Sequence, residues 1–213
     1  NQYYASEDGI LYDNGKTKII QCPLGKTGSI AVARGVKSID NYAFRSCGKI
    51  TSIVFGNEVT SIGVGAFYNC VGLTAITLPE AVSSIGGMAF YQCSNLTSVT
   101  IPASITTIGV QTFGNCSGLR QVLIPEGVTS ISKGAFFECS DLAEVTIPSS
   151  VKFLGKGSFS RCGELKSVTF FGDAPSASSD SFGGSEPTIY YRSGSQGWGD
   201  TFAGLATEAI PSE

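Results

Sequence analysis

The chain has 213 residues, of which 42% are hydrophobic and 15% are charged, a composition typical of proteins that fold around an apolar core. A net charge of −3 gives no basic surface for nucleic acid, and no apolar run approaches the roughly 20 residues that span a bilayer. The chain contains no histidine, so neither a Ser-His nor a Cys-His nucleophile can be built from it.

The N-terminal segment Ile10–Pro23 reads ILYDNGKTKIIQCP. Apolar residues flank Asn14-Gly15, a pair that favours positive φ, so the segment predicts a β-hairpin with its turn there. Without a cap, the first coil of a repeat array would expose core side chains and an unpaired strand edge to solvent. We therefore expect residues 1–35 to form an N-terminal cap.

Residues 36–173 repeat with a period of 23. The repeat is marked by phenylalanines at Phe44, Phe67, Phe90, Phe113, Phe136 and Phe159. A cysteine follows each one three residues later, at Cys47, Cys70, Cys93, Cys116, Cys139 and Cys162. A fixed period of this length indicates a solenoid, because a single coil cannot bury its apolar positions and stacked coils can. The sequence predicts six such coils.

Each coil carries one alternating segment, such as Ser98-Val99-Thr100, which predicts a short strand with Val99 inside and its neighbours outside. Pro102 lacks an N–H group and is expected to end the strand. A second, shorter extended piece is expected around Ser84-Ile85. The glycine-rich turn into Ala89-Phe90 is expected to start one helical or 3-10 turn.

Three interpretations of the cysteines compete. Disulfides between coils stacked about 5 Å apart are within reach of bridge geometry, but Cys22 brings the total to seven, an odd number. A metal site would need C-x-x-C pairs, which the chain lacks. The repeat favours a small buried thiol that fills a narrow space beside phenylalanine.

The C-terminal segment 174–213 begins with a decayed seventh copy. Phe182 lies 23 residues after Phe159, and Ser185 occupies the cysteine position. We expect the following aromatic residues to close the last coil as a C-terminal cap. These residues are Tyr190, Tyr191, Trp198 and Phe202.

The repeat L-x-x-I-x-L-P followed by V-x-x-I-x-x-x-A-F-x-x-C resembles the bacterial BspA-like leucine-rich repeat, over Val36 to about Phe170. The resemblance implies an α/β fold: a right-handed leucine-rich-repeat solenoid of 23-residue coils, strand-rich, with short helical or 3-10 turns and capped at both ends. It also implies an extracellular or bacterial cell-surface location and a role in adhesion or host contact.

Signals for chemistry are weak. The GKT triplets at 15–17 and 25–27 lack the glycine five positions earlier that a phosphate-binding loop needs. The acidic residues are scattered along a repeat that offers a smooth groove, whereas a glycosidase needs two carboxyl groups facing across a cleft. We therefore expect no enzyme and no catalytic, metal or cofactor-binding residues.

The outward strand positions give the leading site prediction, a protein-binding face for a host or neighbouring-cell protein, including extracellular matrix proteins. Its residues are Ser98, Thr100, Gln121, Leu123, Glu144 and Thr146. The alternative is a carbohydrate-binding module with a glycan contact at Tyr190, Tyr191 and Trp198, where aromatic rings could stack on a sugar. A third hypothesis is a structural spacer for other surface domains.

Overall fold

Each 23-residue copy folds into a coil that contributes one longer strand and one two-residue strand. The structure, a computed structural model, describes residues 2–211. It is a strand-rich solenoid of about eight coils with about 23 residues per turn. Residues one period apart lie above one another, so equivalent side chains form continuous columns.

The longer strands follow the apolar alternation that the sequence predicts. They are β4 (Gly28–Ala31), β6 (Ile50–Val54), β8 (Ala75–Thr77), β10 (Ser98–Thr100), β12 (Gln121–Leu123), β14 (Glu144–Ile147), β16 (Ser167–Phe170), β18 (Thr188–Arg192) and β20 (Leu205–Ile210). Paired neighbours in this series are parallel. Val99 is buried between two exposed residues and pairs in register with Ile76 and Val122. The expected short strand is confirmed.

The shorter strands form two parallel ladders on another side of the coils. The first ladder contains β3 (Lys18–Gln21), β5 (Ser38–Ile39), β7 (Ser61–Ile62) and β9 (Ser84–Ile85). The second contains β11 (Thr107–Ile108), β13 (Ser130–Ile131), β15 (Phe153–Leu154) and β17 (Ser176–Ala177). The extended piece expected at Ser84-Ile85 is therefore present, and most isoleucines of these ladders are buried.

Antiparallel pairing occurs at both ends of the described chain. β1 (Tyr4–Glu7), β2 (Ile10–Asp13) and β3 form two successive hairpins, and β19 (Thr201–Phe202) pairs with β20. The expectation of positive φ at Asn14-Gly15 is wrong, because the left-handed residue of that turn is Lys16, with φ 51°. The Asp13 carboxylate accepts the N–H groups of Thr17 and Lys18 at 2.7 and 2.8 Å, which fixes the bend at this point. The division into two caps and a repeat domain remains a prediction.

The phenylalanines form a single internal column. Consecutive rings from Phe44 to Phe182 stack with centroids 5.0 to 5.7 Å apart and interplanar angles of at most 18°. Each ring is 2% exposed or less. The alignment that the 23-residue period predicts is confirmed, and it includes the decayed seventh copy.

The segment after each short strand is a hydrogen-bonded turn and not a helix. The N–H groups of Met88, Phe90 and Gln92 each donate to a carbonyl of the following coil at 2.9 Å. Only the alternate N–H groups, of Ala89 and Tyr91, donate three residues back, at 3.2 and 3.0 Å. Met88 and Gln92 also have φ of 57° and 61°, which no right-handed helix accommodates. Residues 2–211 contain no helix, so the expected helical or 3-10 turns and the α/β class are not confirmed.

The seven cysteines are free and buried. From Cys70 to Cys162, each thiol donates to the carbonyl oxygen of the phenylalanine 26 residues earlier, over 3.0 to 3.2 Å. The interpretation as a small buried thiol beside phenylalanine is confirmed. The sequence analysis missed the hydrogen bond, which joins each coil to the one before it.

Candidate functional site

The outer face of the longer strands holds all six residues of the predicted protein-binding face. These are Ser98, Thr100, Gln121, Leu123, Glu144 and Thr146, and each is exposed. β10 and β12 pair in register, which places Ser98 beside Gln121 and Thr100 beside Leu123. β14 lies next to β12 and continues the two rows. The structure therefore brings the six residues together on three neighbouring strands, which we call the sheet face.

The larger side chains of the sheet face are concentrated around β12 and β14. Leu123 is 64% exposed. From Leu24 to the end of the described chain, no other large hydrophobic side chain is more exposed. Beside it lies a shallow depression of about 340 Å³, lined by Gln121, Glu144 and Glu164 and by an Arg120–Asp141 ion pair at 3.8 Å. The centre of the sheet face thus combines one protruding apolar group with a polar, partly charged hollow.

Threonine side chains hold the backbone where β8 and β10 begin. The Thr97 hydroxyl donates to the carbonyl of Thr74 at 3.2 Å, and the Thr74 hydroxyl donates to that of Thr51 at 3.4 Å. Each of these bonds links residues 23 apart on adjacent coils. At β8 and β10 the backbone is therefore held both by strand pairing and by side-chain hydrogen bonds.

The three residues of the predicted glycan contact do not form one platform. Tyr190 of β18 lies opposite Thr169, and β16 separates β18 from the nearest strand of the sheet face, β14. Tyr191 and Trp198 pack against the core, with their rings stacked at 4.9 Å. The Trp198 indole N–H donates to the carbonyl of Gly172 at 3.1 Å, and its ring also contacts Phe202. Tyr191 therefore occupies one face of the Trp198 ring, and a role of Trp198 in a C-terminal cap remains a prediction.

The pKa shifts of the ionisable groups have local causes, burial or a neighbouring hydrogen bond. Burial raises the pKa of the Cys116 and Cys139 thiols well above the ordinary value, which is opposite to what a nucleophilic cysteine requires. Hydrogen bonds, from the Lys18 backbone and the Ser178 hydroxyl respectively, lower the pKa of Asp13 and Asp180. Residues 2–211 also hold no cluster of three or more Cys, Asp or Glu side chains that could bind a metal ion.

Sequence reasoning missed a second surface, which we call the corner groove. It runs along the corner between the turn segments and the longer strands and has a volume of about 400 Å³. Its central row contains Asn69, Gln92, Asn115, Glu138 and Arg161. Each of these residues immediately precedes a cysteine of the repeat, so a polar residue at that position in every copy was the available signal.

Comparison with protein families identifies the repeat. The profile of the BspA type leucine rich repeat region matches residues 37–166 with six copies. The chain belongs to the BspA-type leucine-rich repeat family. No curated protein sequence gives a significant match.

Solved structures of bacterial leucine-rich repeat proteins share the BspA-type solenoid. A protein from Eubacterium ventriosum is 26% identical with a TM-score of 0.77, and the match covers 87% of this chain and 50% of that one. A T. pallidum leucine-rich repeat protein is 27% identical with a TM-score of 0.68, over 89% and 83% of the two chains. A leucine-rich cell surface protein from Faecalibacterium prausnitzii is 27% identical with a TM-score of 0.56, over 80% and 40%. The chain thus spans half the length of the Eubacterium protein. None of the described residues forms a helix able to cross a membrane.

Proposed function

We propose that this chain is a non-enzymatic binding or adhesion module of a bacterial surface or secreted protein, and that it contacts a host or neighbouring-cell protein through the sheet face. The observation that carries the proposal is the exposure of all six predicted side chains on three adjacent strands. A flat, rigid array of this kind offers many shallow contacts over a broad area, which is how repeat proteins bind.

The distribution of side chains supports a contact centred on β12 and β14. Leu123 is an exposed apolar side chain with polar neighbours, Thr100 beside it on β10 and Gln121 on its own strand, which is the arrangement of an apolar anchor with a polar rim. The other residues of the sheet face, Ser98, Thr100 and Thr146, suit an exposed strand without forming an anchor. Membership of the BspA-type family and the likeness to a bacterial cell surface protein support an extracellular setting.

Binding to purified extracellular matrix proteins, measured by surface plasmon resonance, tests the proposal. We expect Gln121→Ala combined with Glu144→Ala to weaken a detected interaction by about tenfold or more, since each lost hydrogen bond to a charged or polar partner contributes about 0.5–3 kcal/mol. The matched control combines Glu80→Ala with Gln111→Gly, which removes the same two residue types away from the sheet face. Equal binding by both double variants would show that Gln121 and Glu144 of the sheet face do not take part in the interaction. The absence of any protein ligand would favour the spacer hypothesis.

A further inference from the structure

The corner groove contains polar side chains where the backbone alone would favour glycine. The five residues of its central row, from Asn69 to Arg161, all have a left-handed backbone conformation, with φ between 57° and 61°. A left-handed conformation costs free energy for residues other than glycine, least for asparagine, and glutamine, glutamate and arginine gain no such relief. The seventh copy has Gly184 at the equivalent position, so glycine fits there.

A second left-handed row in the same turns provides an internal comparison. Its residues are Tyr42, Gly65, Met88, Gln111, Gly134 and Gly157, with φ from 52° to 61°. Glycine therefore takes half of that row, whereas the groove row keeps a polar side chain in each copy from Ser46 to Arg161. Both rows require the same left-handed backbone conformation. The polar side chains of the groove are therefore better explained by what they contact than by the geometry of the turn.

Apart from Val71, the residues that line the groove are polar, and their charges balance. Glu138 and Arg161 form an ion pair at 3.0 Å, and the Asn115 amide donates to the Tyr91 hydroxyl at 3.0 Å, which leaves the Asn115 side-chain oxygen free to accept. The Gln92 amide has no hydrogen-bond partner among residues 2–211. A phosphate backbone would need uncompensated positive charge, and an apolar peptide would need apolar walls. The lining instead suits an uncharged ligand rich in hydroxyl groups.

The spacing of the row restricts the ligand further. Equivalent rings of neighbouring coils, such as Phe67 to Phe90, lie 5.3 Å apart, and the groove offers one polar side chain per coil. An extended peptide repeats its facing groups about every 6.6 Å, which drifts out of register within a few coils. Extended polysaccharides of β-1,4-linked pyranoses advance by one sugar in about one coil spacing. Because alternate sugars are turned over, each coil would meet one sugar and the same sugar edge would return at every second coil, in register with the row.

We propose that the corner groove is a binding site for an extended, uncharged polysaccharide of β-1,4-linked sugars that runs parallel to the solenoid axis. The amides of Gln92 and Asn115 each offer a donor and an acceptor to neighbouring sugar hydroxyls. The half-buried Ser94, Ser117 and Ser140 form the floor beside them. This site is separate from the sheet face and does not depend on the function proposed for that face.

Titration calorimetry with cellohexaose and chitohexaose tests the proposal, with maltohexaose as the α-1,4-linked comparison. The test variant combines Gln92→Gly with Asn115→Gly, which removes both amides and also relieves the left-handed backbone, so it should fold. We expect wild-type protein to bind at least one β-1,4-linked probe at millimolar concentration and the variant to bind it about tenfold more weakly. Gln111→Gly is the matched control, since it removes an amide from a left-handed residue outside the groove, and it should leave binding unchanged.

Two results would overturn the proposal. One is the absence of binding of either β-1,4-linked probe to wild-type protein, or equal binding of maltohexaose. The other is binding that survives the double variant or that Gln111→Gly weakens to the same extent. Circular dichroism spectra of the variants confirm that a loss of binding is not a loss of fold.

Discussion

Removal of the Phe113 ring tests whether the phenylalanine column holds the coils together. Phe113 is 1% exposed, and its ring stacks on Phe90 at 5.3 Å and on Phe136 at 5.5 Å. Replacement of a buried phenylalanine by alanine costs about 3–5 kcal/mol, and an aromatic pair contributes about 0.5–1.5 kcal/mol beyond its buried area. Because two such pairs are lost, we expect Phe113→Ala to lower the free energy of unfolding by about 4–5 kcal/mol, near the upper end of that range.

Urea unfolding measures this change when it is followed by two probes. Circular dichroism reports the whole strand array, and the fluorescence of Trp198 reports the C-terminal coils. The two transitions must coincide before a single free energy is assigned, because repeat arrays can lose cooperativity. The control is Thr100→Ala on the sheet face, which should cost less than about 0.5 kcal/mol. Similar costs for the two variants, or a cost below about 1 kcal/mol for Phe113→Ala, would refute the inside and outside assignments.

Three further predictions concern the close contact between coils and the buried thiols. Gly86→Ala should cost about 1–3 kcal/mol in chemical denaturation, because its Cβ would clash with the backbone nitrogen of Val64 on the preceding coil. Gly163→Ala, with open space around it, should cost nothing. A thiol reagent should label no cysteine in the native protein and all seven in denaturant. Stability should fall as pH rises above about 8.5, the thiol pKa in the unfolded chain, because burial raises the folded pKa values of the five thiols from Cys70 to Cys162, that of Cys162 to about 12, while the interacting pair Cys22 and Cys47 shifts in opposite directions. Urea midpoints at neutral and alkaline pH measure that loss.

Periodicity predicted the parts of the fold that burial alone decides. Val99 and Phe90 lie inside because a side chain at either position packs against the side chains at the equivalent positions of the two neighbouring coils. The inner column, the longer strands and the exposure of the sheet face follow from that constraint. The resemblance to the BspA-type repeat was confirmed by the family match over residues 37–166.

The turn segments could not be predicted from local propensity. A glycine-rich turn followed by Ala89 and Phe90 is compatible with a helical turn when only near neighbours are considered. In the structure, alternate N–H groups of the segment donate to carbonyl groups of the next coil. The segment therefore adds a third set of hydrogen bonds between coils to those of the longer and the shorter strands. The left-handed φ of Met88 and Gln92 is a consequence of this pairing. The row to which Gln92 belongs lines the corner groove. A sequence pattern that reports burial gives no information on which carbonyl an N–H group reaches.

The seventh copy shows what the cysteine position requires. Ser185 replaces cysteine there, and its hydroxyl donates to the Phe159 carbonyl at 2.9 Å while it accepts the Cys162 N–H at 2.8 Å. The position therefore selects a small side chain that can donate to the preceding coil, and sulfur redox chemistry is not needed to explain it. Since these contacts recur from Cys70 to Ser185, the inner columns are constrained there and the outward rows are freer to vary. Differences in binding between such arrays should therefore reside in rows like the sheet face and the corner groove, where neighbouring coils already carry different side chains.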